Sequence, residues 1–543
     1  MTPFLRTPPF PGGKPVALSR AGQANEDTTA VLALLRAHRV GGHFWAKQPP
    51  IAKDAIIACP WDDASAKAMA ERAAASGDTV VFWITDRKTQ PVPHSCIVGP
   101  ADPWHVAANA KAFWGREDDE RLLIARITGR EVEVMDGARL PRLSDQVQNA
   151  LLSHCDYIDP FSGERTTAAR TIELLAFWRG LIDANRPIVA AAGMAFWKRE
   201  TVEPLLWGGG EPVRHISTVR ALEELRDDDA VAVWKAKTPP ELLAAIERRA
   251  ANNPTLLHEV EDGFIRSIGL GADCVPPLSI TVDAIGVHFD PAGESGLERL
   301  LNTGNFSPDQ LARAEAIRTL IISSGLSKYG LGGDSMARPG GERRHVLVTG
   351  QVEDDRSVLA ARGEVRGNLD LLRRARRAER QAYILYRPHP DVDAGHRKGH
   401  VPDDVALEYA DAIDRGTPIS TLLDMVDGVH VLSSLAGFEA LLRGRDVTTH
   451  GTPFYAGWGL TRDLGATPER RKKRMDINAL ATGVLLLYPR YLDPVTALPC
   501  PPEVLVQRLI AGVKKESRFI VPLRRLQGKV NRWRFRAGSV EKV

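Results

Sequence analysis

An α/β fold built from several Rossmann-like units is predicted by the length of the chain and by the order of its apolar segments. The 543 residues are too many for one hydrophobic core, so two to four domains are expected. Through most of the chain, short β-branched apolar runs alternate with longer helical patterns. Such alternation is typical of parallel sheets covered by helices. The composition, with 43% hydrophobic and 26% charged residues, is ordinary for a globular protein.

The same patterns predict the domain organisation. The first segment is rich in Pro and Gly and reads as a loose leader, and the last segment is strongly basic. Between them, three α/β units follow one another. The predicted segments are the leader at 1–40, a degenerate Rossmann-like unit at 41–150, a second Rossmann-like domain at 151–340, a third at 341–510 and a basic C-terminal tail at 511–543.

The first unit repeats the order of strands and helices of the third one. Where the third unit has His389 and Ser433–Ser434, the first has Asp118–Asp119. Two carboxylates repel a phosphate, so we interpret the first unit as a nucleotide-binding half-domain that no longer binds nucleotide. The alternative is that any two units of this kind align by chance, because they share a pattern for physical reasons.

Composition also narrows the class of function and the compartment. The net charge of +3 gives no sign of nucleic-acid binding. The five cysteines are scattered without CxxC spacing, which fits a reducing compartment. The N-terminus has no apolar signal-peptide core, and no apolar run approaches the roughly 18 residues that a membrane span needs. A cytoplasmic protein is expected.

A pair of acids follows a predicted strand in the segment EDGFIRS. Glu261 and Asp262 stand where ligands bind in open α/β sheets, at the carboxyl end of a strand. One carboxylate suits a nucleophile or a general base, and Arg266 suits an anionic substrate. The alternative is an ordinary Asp-Gly turn.

Three further clusters follow strands of the third unit. Prolines on both sides of His389 orient its ring, and the nearby Arg387 adds a cation for a phosphate. Ser433 and Ser434 begin a helix, whose amides form an anion site. For the segment around His389 the alternative is a proline-rich loop, and for the two serines it is an ordinary N-cap. The third cluster is the loop that carries Gln351 and Glu353, for which the alternative is a loop that binds no ligand. The candidate ligand contacts are Arg387, His389, Pro390, Ser433, Ser434, Glu439 for a ribose, and Gln351 and Glu353 for a base or ribose edge.

Some site classes are disfavoured by the absence of their motifs. The sequence contains neither a P-loop nor GxGxxG, which disfavours an ATPase or a dinucleotide-dependent dehydrogenase. His396 and His400 have i, i+4 spacing but no third ligand nearby, so we interpret them as surface residues and predict no metal site.

Many ordered stretches between about 150 and 500 resemble a known family, the capsular polysaccharide synthesis proteins of the KpsC/LipB type, which are retaining β-Kdo transferases. Typical members carry two such modules in tandem, whereas this chain has one complete module. The matching stretches are YIDPFSG (157–163), GMAFWKR (193–199), VEDGFIRSIGLGADCVPPLSITVD (260–283), GLSKYGLGG (325–333), TGQVEDDRS (349–357), YRPHPDVDAGHRKG (386–399), SSLAGFEALLRG (433–444), GTPFYAGWGLT (451–461) and YPRYLDP (488–494).

The resemblance implies a GT-B-like plan, with two Rossmann-like domains flanking a cleft. Segment 151–340 would be the acceptor side, and 341–510 would bind the donor CMP-β-Kdo. The reaction would move Kdo to a lipid-linked glycan by a retaining double displacement without cofactor or metal. The alternatives are a non-catalytic capsule assembly or export factor, and a CMP-sialyltransferase-like enzyme that uses another nonulosonic acid.

The resemblance also assigns roles to residues. Glu261 and Asp262 match the acidic catalytic motif, and we favour Asp262 as the nucleophile. Arg387, His389 and Pro390 match the HP motif, and Ser433 and Ser434 match the paired-serine phosphate site. Arg266, Lys198 and Lys328 are candidates for holding the Kdo carboxylate.

The expected partners follow from the same reading. They are the CMP-sugar, the lipid-linked acceptor, capsule assembly or export machinery, and the anionic inner membrane. The basic tail, with Trp533 and Phe535 among its cations, would hold the enzyme peripherally at the cytoplasmic face of that membrane. The alternatives are a solvated tail and a helix that packs on another domain.

Overall fold

The computed structural model describes residues 3–85, 95–267, 275–327, 332, 336–395 and 397–513. The chain divides into two compact units, Met1–Val189 with Leu206–Val213, and Ala190–Leu205 with Arg214–Val543. Parallel sheets with intervening helices occur in both units. The predicted α/β class with Rossmann-like sheets is confirmed.

A five-stranded parallel sheet forms the core of the first unit, in the order β4-β3-β2-β5-β6. Its central strands are fully buried apolar runs such as Val80–Ile84. A smaller antiparallel sheet has the order β1-β7-β8. The elements are β1 (Ser19–Ala21), α1 (Thr28–His38), β2 (Ile56–Ala58), α2 (Asp63–Ser76), β3 (Val80–Ile84), β4 (Cys96–Val98), α3 (Pro103–Asn109), β5 (Ala112–Gly115), α4 (Glu120–Ile127), β6 (Glu131–Val134), α5 (Leu143–Val147), β7 (Cys155–Ile158), β8 (Arg165–Thr166) and α6 (Ala168–Asn185).

Residues 3–40 pack on the first unit, although their Pro and Gly content suggested a loose leader. Phe4, Leu5, Phe10 and Leu18 are all buried. Strand β1 pairs with β7 in antiparallel register. The apolar side chains between the prolines are spaced closely enough to anchor this stretch to the first unit, and composition alone does not show this.

A seven-stranded mixed sheet opens the second unit, in the order β10-β9-β11-β12-β13-β20-β21. The strand pairs β10/β9 and β11/β12 are parallel, whereas β12/β13, β13/β20 and β20/β21 are antiparallel. The associated elements are β9 (Ile188–Ala192), α7 (Phe196–Leu206), β10 (Arg214–Ile216), α8 (Val219–Glu223), β11 (Ala230–Val233), α9 (Pro240–Ala250), β12 (Leu257–Asp262), β13 (Ser279–Asp283), α10 (Gly296–Thr303) and α11 (Pro308–Ser323), with α18 (Ile477–Ala481), β20 (Pro489–Leu492), β21 (Pro499–Cys500) and α19 (Pro502–Ile510) later in the chain.

A six-stranded parallel sheet completes the second unit, in the order β16-β15-β14-β17-β18-β19. The chain runs from β14 to one side and then returns to the other, so the strand order reverses between β14 and β17. In open α/β sheets ligands bind at such a switch point, outside the carboxyl ends of the strands. The elements are β14 (His345–Thr349), α12 (Arg356–Ala361), α13 (Asn368–Ala378), β15 (Tyr383–Arg387), α14 (Pro390–Asp393), α15 (Asp403–Leu407), β16 (Ala412–Ile413), α16 (Ile419–Met425), β17 (Gly428–Val431), α17 (Leu435–Leu442), β18 (Asp446–Thr449) and β19 (Arg462–Asp463).

The interior of the six-stranded sheet is apolar. Val346 and Ile384 of neighbouring strands are buried against Leu371 and Leu372 of α13. Within the described residues, no helix has the length and apolar character that crossing a membrane requires.

Candidate active site

The acidic pair lies at the end of β12, inside the strand rather than after it. Glu261 and Asp262 pair with Thr281 and Ile280 of β13. Successive residues of a strand point to opposite faces, so Glu259 and Glu261 share one face and Asp262 takes the other. The next residue, Gly263, is needed for space, because a Cβ there would lie 2.2 Å from Ser279 Oγ. A close approach to β13, and not the freedom of an Asp-Gly turn, explains this glycine.

Two cationic side chains hold Asp262. Lys198 Nζ donates to Oδ1 at 3.1 Å, and Arg266 Nε donates to Oδ2 at 2.9 Å. The remaining Arg266 nitrogens donate to Ser267 Oγ and to the carbonyl of Val275. Arg266 is only 1% exposed, which leaves it no surface for a substrate anion. Arg266 therefore supports Asp262 in this structure, and its role in holding the Kdo carboxylate stays a prediction.

Lys198 is also committed to the protein. Its ammonium lies 3.3 Å from the ring centroid of Trp234 and 5.3 Å from that of Trp197. Burial lowers the pKa of Lys198, and the nearby Asp262 partly offsets that effect. In this structure Lys198 thus contacts Asp262, whereas the sequence suggested that it holds the carboxylate of the substrate. Lys328, the third candidate, lies outside the described residues.

The other face of β12 carries two carboxylates that share one arginine. Arg356 donates to Glu259 at 2.9 Å and to Glu261 at 3.2 Å. Glu259 also accepts from Lys235 at 3.1 Å. Burial raises the pKa of Glu261 to about 8, and the negative charge of Asp262 adds to the effect. The two acids of the pair therefore have different environments.

At the switch point of the six-stranded sheet, Gln351 and Ser433 are joined by two hydrogen bonds. Gln351 follows β14, and its amide donates to Ser433 Oγ at 3.0 Å and accepts from the Ser433 amide at 2.9 Å. Ser434 caps α17 by accepting from the Ala436 amide at 3.3 Å. Glu353 accepts from the amide of Asn368 at 2.7 Å. The paired serines thus lie at the helix N-terminus where an anion site was predicted.

The histidine of the RPHP segment is oriented by its neighbour. His389 is half-buried, and its Nδ1 accepts from the amide of Asp391 at 3.1 Å as the N-cap of α14. An accepting Nδ1 requires the proton on Nε2, so Nε2–H can donate to an anion. Pro390 begins α14. Arg387 is paired with Asp414.

Residues of the two sheets meet at this site. Glu439 of α17 lines one small cavity together with Phe264 and Ile265, which follow the acidic pair. Arg356 of α12 makes a second connection through its hydrogen bonds to Glu259 and Glu261 of β12. Glu261 and Asp262 belong to the seven-stranded sheet and the other three clusters to the six-stranded sheet, and both sheets lie in the second unit.

Some residues of the site, and the contacts they make, were not predicted from the sequence. Glu259 and Arg356 were detectable, since Glu259 has i, i+2 spacing from Glu261 and Arg356 follows the acidic EDD run. Trp234 gave no local signal. In the part of the chain that the structure describes, no group of three or more His, Cys, Asp or Glu side chains is arranged to hold a metal ion.

The aspartates of the first unit are paired within the protein. Asp119 caps α4 and forms an ion pair with Arg121 at 2.6 Å, and Asp118 pairs with Arg116. The loss of nucleotide binding by this unit stays a prediction.

Comparison with known proteins gives a consistent family. The model of the family described as "Capsule polysaccharide biosynthesis protein" matches residues 229–330 and 329–491. The capsule polysaccharide modification protein LipA of Neisseria meningitidis serogroup A is 36% identical over 411 residues, which are 75% of this chain and 56% of LipA. The lipopolysaccharide-processing protein LpsZ of Rhizobium meliloti is 43% identical over 255 residues, which are 45% of this chain and 58% of LpsZ. The chain thus spans a little over half the length of these curated relatives.

A solved structure extends the likeness to the fold. KpsC of Thermosulfurimonas dismutans, described as a β-Kdo 2,4 transferase, is 30% identical with a TM-score of 0.50, and the match covers 59% of this chain and 98% of that one. The GT-B-like plan of Rossmann-like domains and the resemblance seen in the sequence are confirmed. The chain belongs to the family of capsule polysaccharide biosynthesis proteins, of the KpsC/LipB type.

Proposed function

We propose that this protein is a retaining β-Kdo glycosyltransferase, which moves Kdo from CMP-β-Kdo to a lipid-linked glycan acceptor in the biosynthesis of a capsule-type polysaccharide. The observation that carries the proposal is the acidic pair of β12. Asp262 accepts a cationic donor on each oxygen, whereas burial raises the pKa of the adjacent Glu261 to about 8. Titratable neighbours with contrasting environments are typical of paired catalytic roles.

Asp262 is assigned the role of nucleophile. Its carboxylate attacks the anomeric carbon of Kdo, and the bond to the CMP phosphate breaks with its electron pair on the departing CMP. A covalent glycosyl ester is left on Asp262. A hydroxyl of the acceptor then attacks the same carbon and displaces Asp262, so two inversions give net retention.

Glu261 is assigned the role of general base. A base works best when its pKa lies near the working pH, and the pKa of about 8 at Glu261 meets this condition. It takes the proton of the attacking hydroxyl in the second step. A shared arginine, Arg356, contacts its carboxylate at 3.2 Å.

The CMP phosphate is assigned to the switch point of the six-stranded sheet. Nε2–H of His389 and the N-terminus of α17 at Ser433 and Ser434 provide donors for an anion. No step needs a metal ion or a cofactor. Gln351, Glu353 and Glu439 are the candidates for the ribose and base.

The relatives support the choice of substrate. The solved relative at 30% identity is described as a β-Kdo 2,4 transferase, and LipA as a capsule polysaccharide modification protein. Because the donor is a CMP-sugar and the acceptor a lipid, we place the enzyme at the cytoplasmic face of the inner membrane.

The test is a transfer assay with purified protein, CMP-Kdo generated in situ and a Kdo-terminated lipid acceptor mimic. The expected product is heavier by one Kdo residue and carries a β linkage by NMR. A CMP-activated sialic acid serves as the matched donor. Transfer from that donor alone would replace Kdo by another nonulosonic acid, and the absence of transfer from both donors would favour an assembly or export factor.

A further inference from the structure

Arg356 joins the two sheets of the second unit at the candidate site. It is the first residue of α12 and directly follows the loop that carries Gln351 and Glu353. One guanidinium reaches across to β12 and donates to Glu259 at 2.9 Å and to Glu261 at 3.2 Å. Its planar fork suits two acceptors in fixed positions, a geometry that the single ammonium of a lysine does not reproduce.

The loop before Arg356 is fixed at both ends. At its start, Gln351 exchanges two hydrogen bonds with Ser433, at 3.0 and 2.9 Å. At its end, Asp355 caps α12 and accepts from the amide of Ser357 at 3.0 Å. A short chain of fixed contacts therefore runs from the serines of the switch point to the carboxylate of Glu261.

The charges around Glu261 give this contact a chemical consequence. Glu259 and Asp262, both on β12, oppose the ionised form of Glu261, whereas Lys198 from α7 and Arg356 from α12 favour it. Lys198 donates to Asp262, whereas Arg356 donates directly to Glu261. Without Arg356, Glu261 would face like charge along its own strand, and its protonated form would be favoured further.

We propose that Arg356 is a positioning residue of the transfer reaction: it fixes Glu261 from the donor-side loop and sets the pH at which Glu261 takes the acceptor proton. The inference rests on the proposed function. It requires no contact between Arg356 and the donor, so the rate and the affinity for CMP respond differently to its removal.

The test compares Arg356→Gln with wild type in initial rates of Kdo transfer across pH. The ascending limb of the pH profile should move to higher pH by about one unit or more, because an opposite charge within hydrogen-bonding distance shifts a carboxyl pKa by roughly that amount. The kcat at neutral pH should fall, while the Kd for CMP stays within about twofold of wild type. Arg356→Lys should give an intermediate shift, and Arg362→Gln, an exposed position just after the same helix, should give none.

Two outcomes of the kinetic comparison would overturn the inference. One is an unmoved ascending limb in Arg356→Gln. The other is a large loss of CMP affinity without a change in the pH profile, which would make Arg356 a donor ligand. An inactive wild type would instead count against the proposed function. Thermal unfolding then measures the interaction between Arg356 and Glu261. Arg356→Gln should lose more stability at pH 8 than at pH 5. This difference between the two pH values should be smaller when Arg356→Gln is made in a Glu261→Gln background. Equal losses at both pH values in both backgrounds would refute it.

Discussion

Asp262 receives a cationic donor on each carboxylate oxygen, and this favours a fixed, negatively charged group. Asp262→Asn keeps the size of the side chain and removes the charge. We expect Kdo transfer to fall by on the order of 10³-fold or more, as for other catalytic nucleophiles. Steady-state transfer rates measure the loss, and CMP affinity and the unfolding temperature serve as controls for folding. Turnover near wild type would remove Asp262 as the nucleophile and leave Glu261 as the candidate.

Glu261 makes stability depend on pH. Burial and the neighbouring Asp262 raise its pKa from 4.5 to about 8, so between these values the folded state binds a proton that the unfolded state has lost. Stability contributed at this position therefore decreases as pH rises through that window. Glu261→Gln removes the titration. We expect it to unfold at nearly the wild-type temperature near pH 4, and at least about 2 °C above wild type at pH 8.

The control for that experiment is Glu342→Gln, at an exposed position of the same unit. It should follow wild type at every pH. A Glu261→Gln protein that runs parallel to wild type from pH 4 to pH 8 would show that Glu261 titrates normally in the folded state. Any loss of transfer activity in Glu261→Gln could then not be explained by a general base with a raised pKa.

At the scale of elements, β12 shows where local patterns stop being informative. The sequence predicted a strand that ends before Glu261, whereas the strand extends from Leu257 to Asp262. Glu261 and Asp262 have low strand propensity and precede a glycine, so a local reading ends the strand early. Pairing with Thr281 and Ile280 of β13 extends it, and that partner lies across a stretch that no local pattern spans. The sequence located the two acids at the end of this strand, but it did not show that they point to opposite faces.

The junction between β15 and α14 supplies the prediction for the phosphate site. His389 caps α14 through Nδ1, so the ring proton is on Nε2, and we propose that Nε2–H donates to the donor phosphate. Loss of one hydrogen bond to a charged group costs about 1.5–3 kcal/mol, so His389→Ala should weaken CMP binding by roughly tenfold or more. Calorimetry with CMP measures it. His400→Ala, at an exposed position, should bind like wild type.

The phosphate site at the junction between β15 and α14 also leads to a prediction about metal ions. The phosphate contacts that we propose are all protein groups, so EDTA should change neither CMP affinity nor the transfer rate. Strong dependence on a divalent cation, restored by adding Mg²⁺ or Mn²⁺ after chelation, would contradict the proposed role of His389 and the serines.

At the scale of the molecule, the sequence predicted the class of fold and the motifs but not how the motifs come together. Each cluster lies at or just after the end of a strand of an α/β unit, and this was visible locally. The contact of Arg356 with Glu261 joins positions 95 residues apart, one at the start of α12 and the other on β12. Such a contact depends on how two sheets pack, and periodicity within either segment contains no information about it. A close family resemblance supplied part of what local patterns lacked.

The last prediction concerns the whole molecule: the basic tail attaches the protein to an anionic membrane surface. Residues 514–543 lie outside the described residues, so the prediction rests on sequence. Ten basic residues face two acidic ones, with Trp533 and Phe535 among them. Each Lys or Arg near an anionic surface contributes about 1 kcal/mol, and aromatic rings favour the interface. A reversible attachment suits an enzyme whose proposed acceptor is a lipid-linked glycan.

Deletion of Arg524–Val543 tests this attachment by sedimentation with liposomes. Full-length protein should bind vesicles that contain anionic lipid at low salt and be released at high salt, because counterions screen the attraction. The truncated protein should stay in the supernatant and still use a short soluble acceptor, since the tail follows the last helix of the described fold, which ends at Ile510. Vesicles of neutral lipid should bind neither form. Equal binding of both forms to anionic vesicles would refute the role of the tail, and loss of transfer to the soluble acceptor would show that it belongs to the catalytic unit instead.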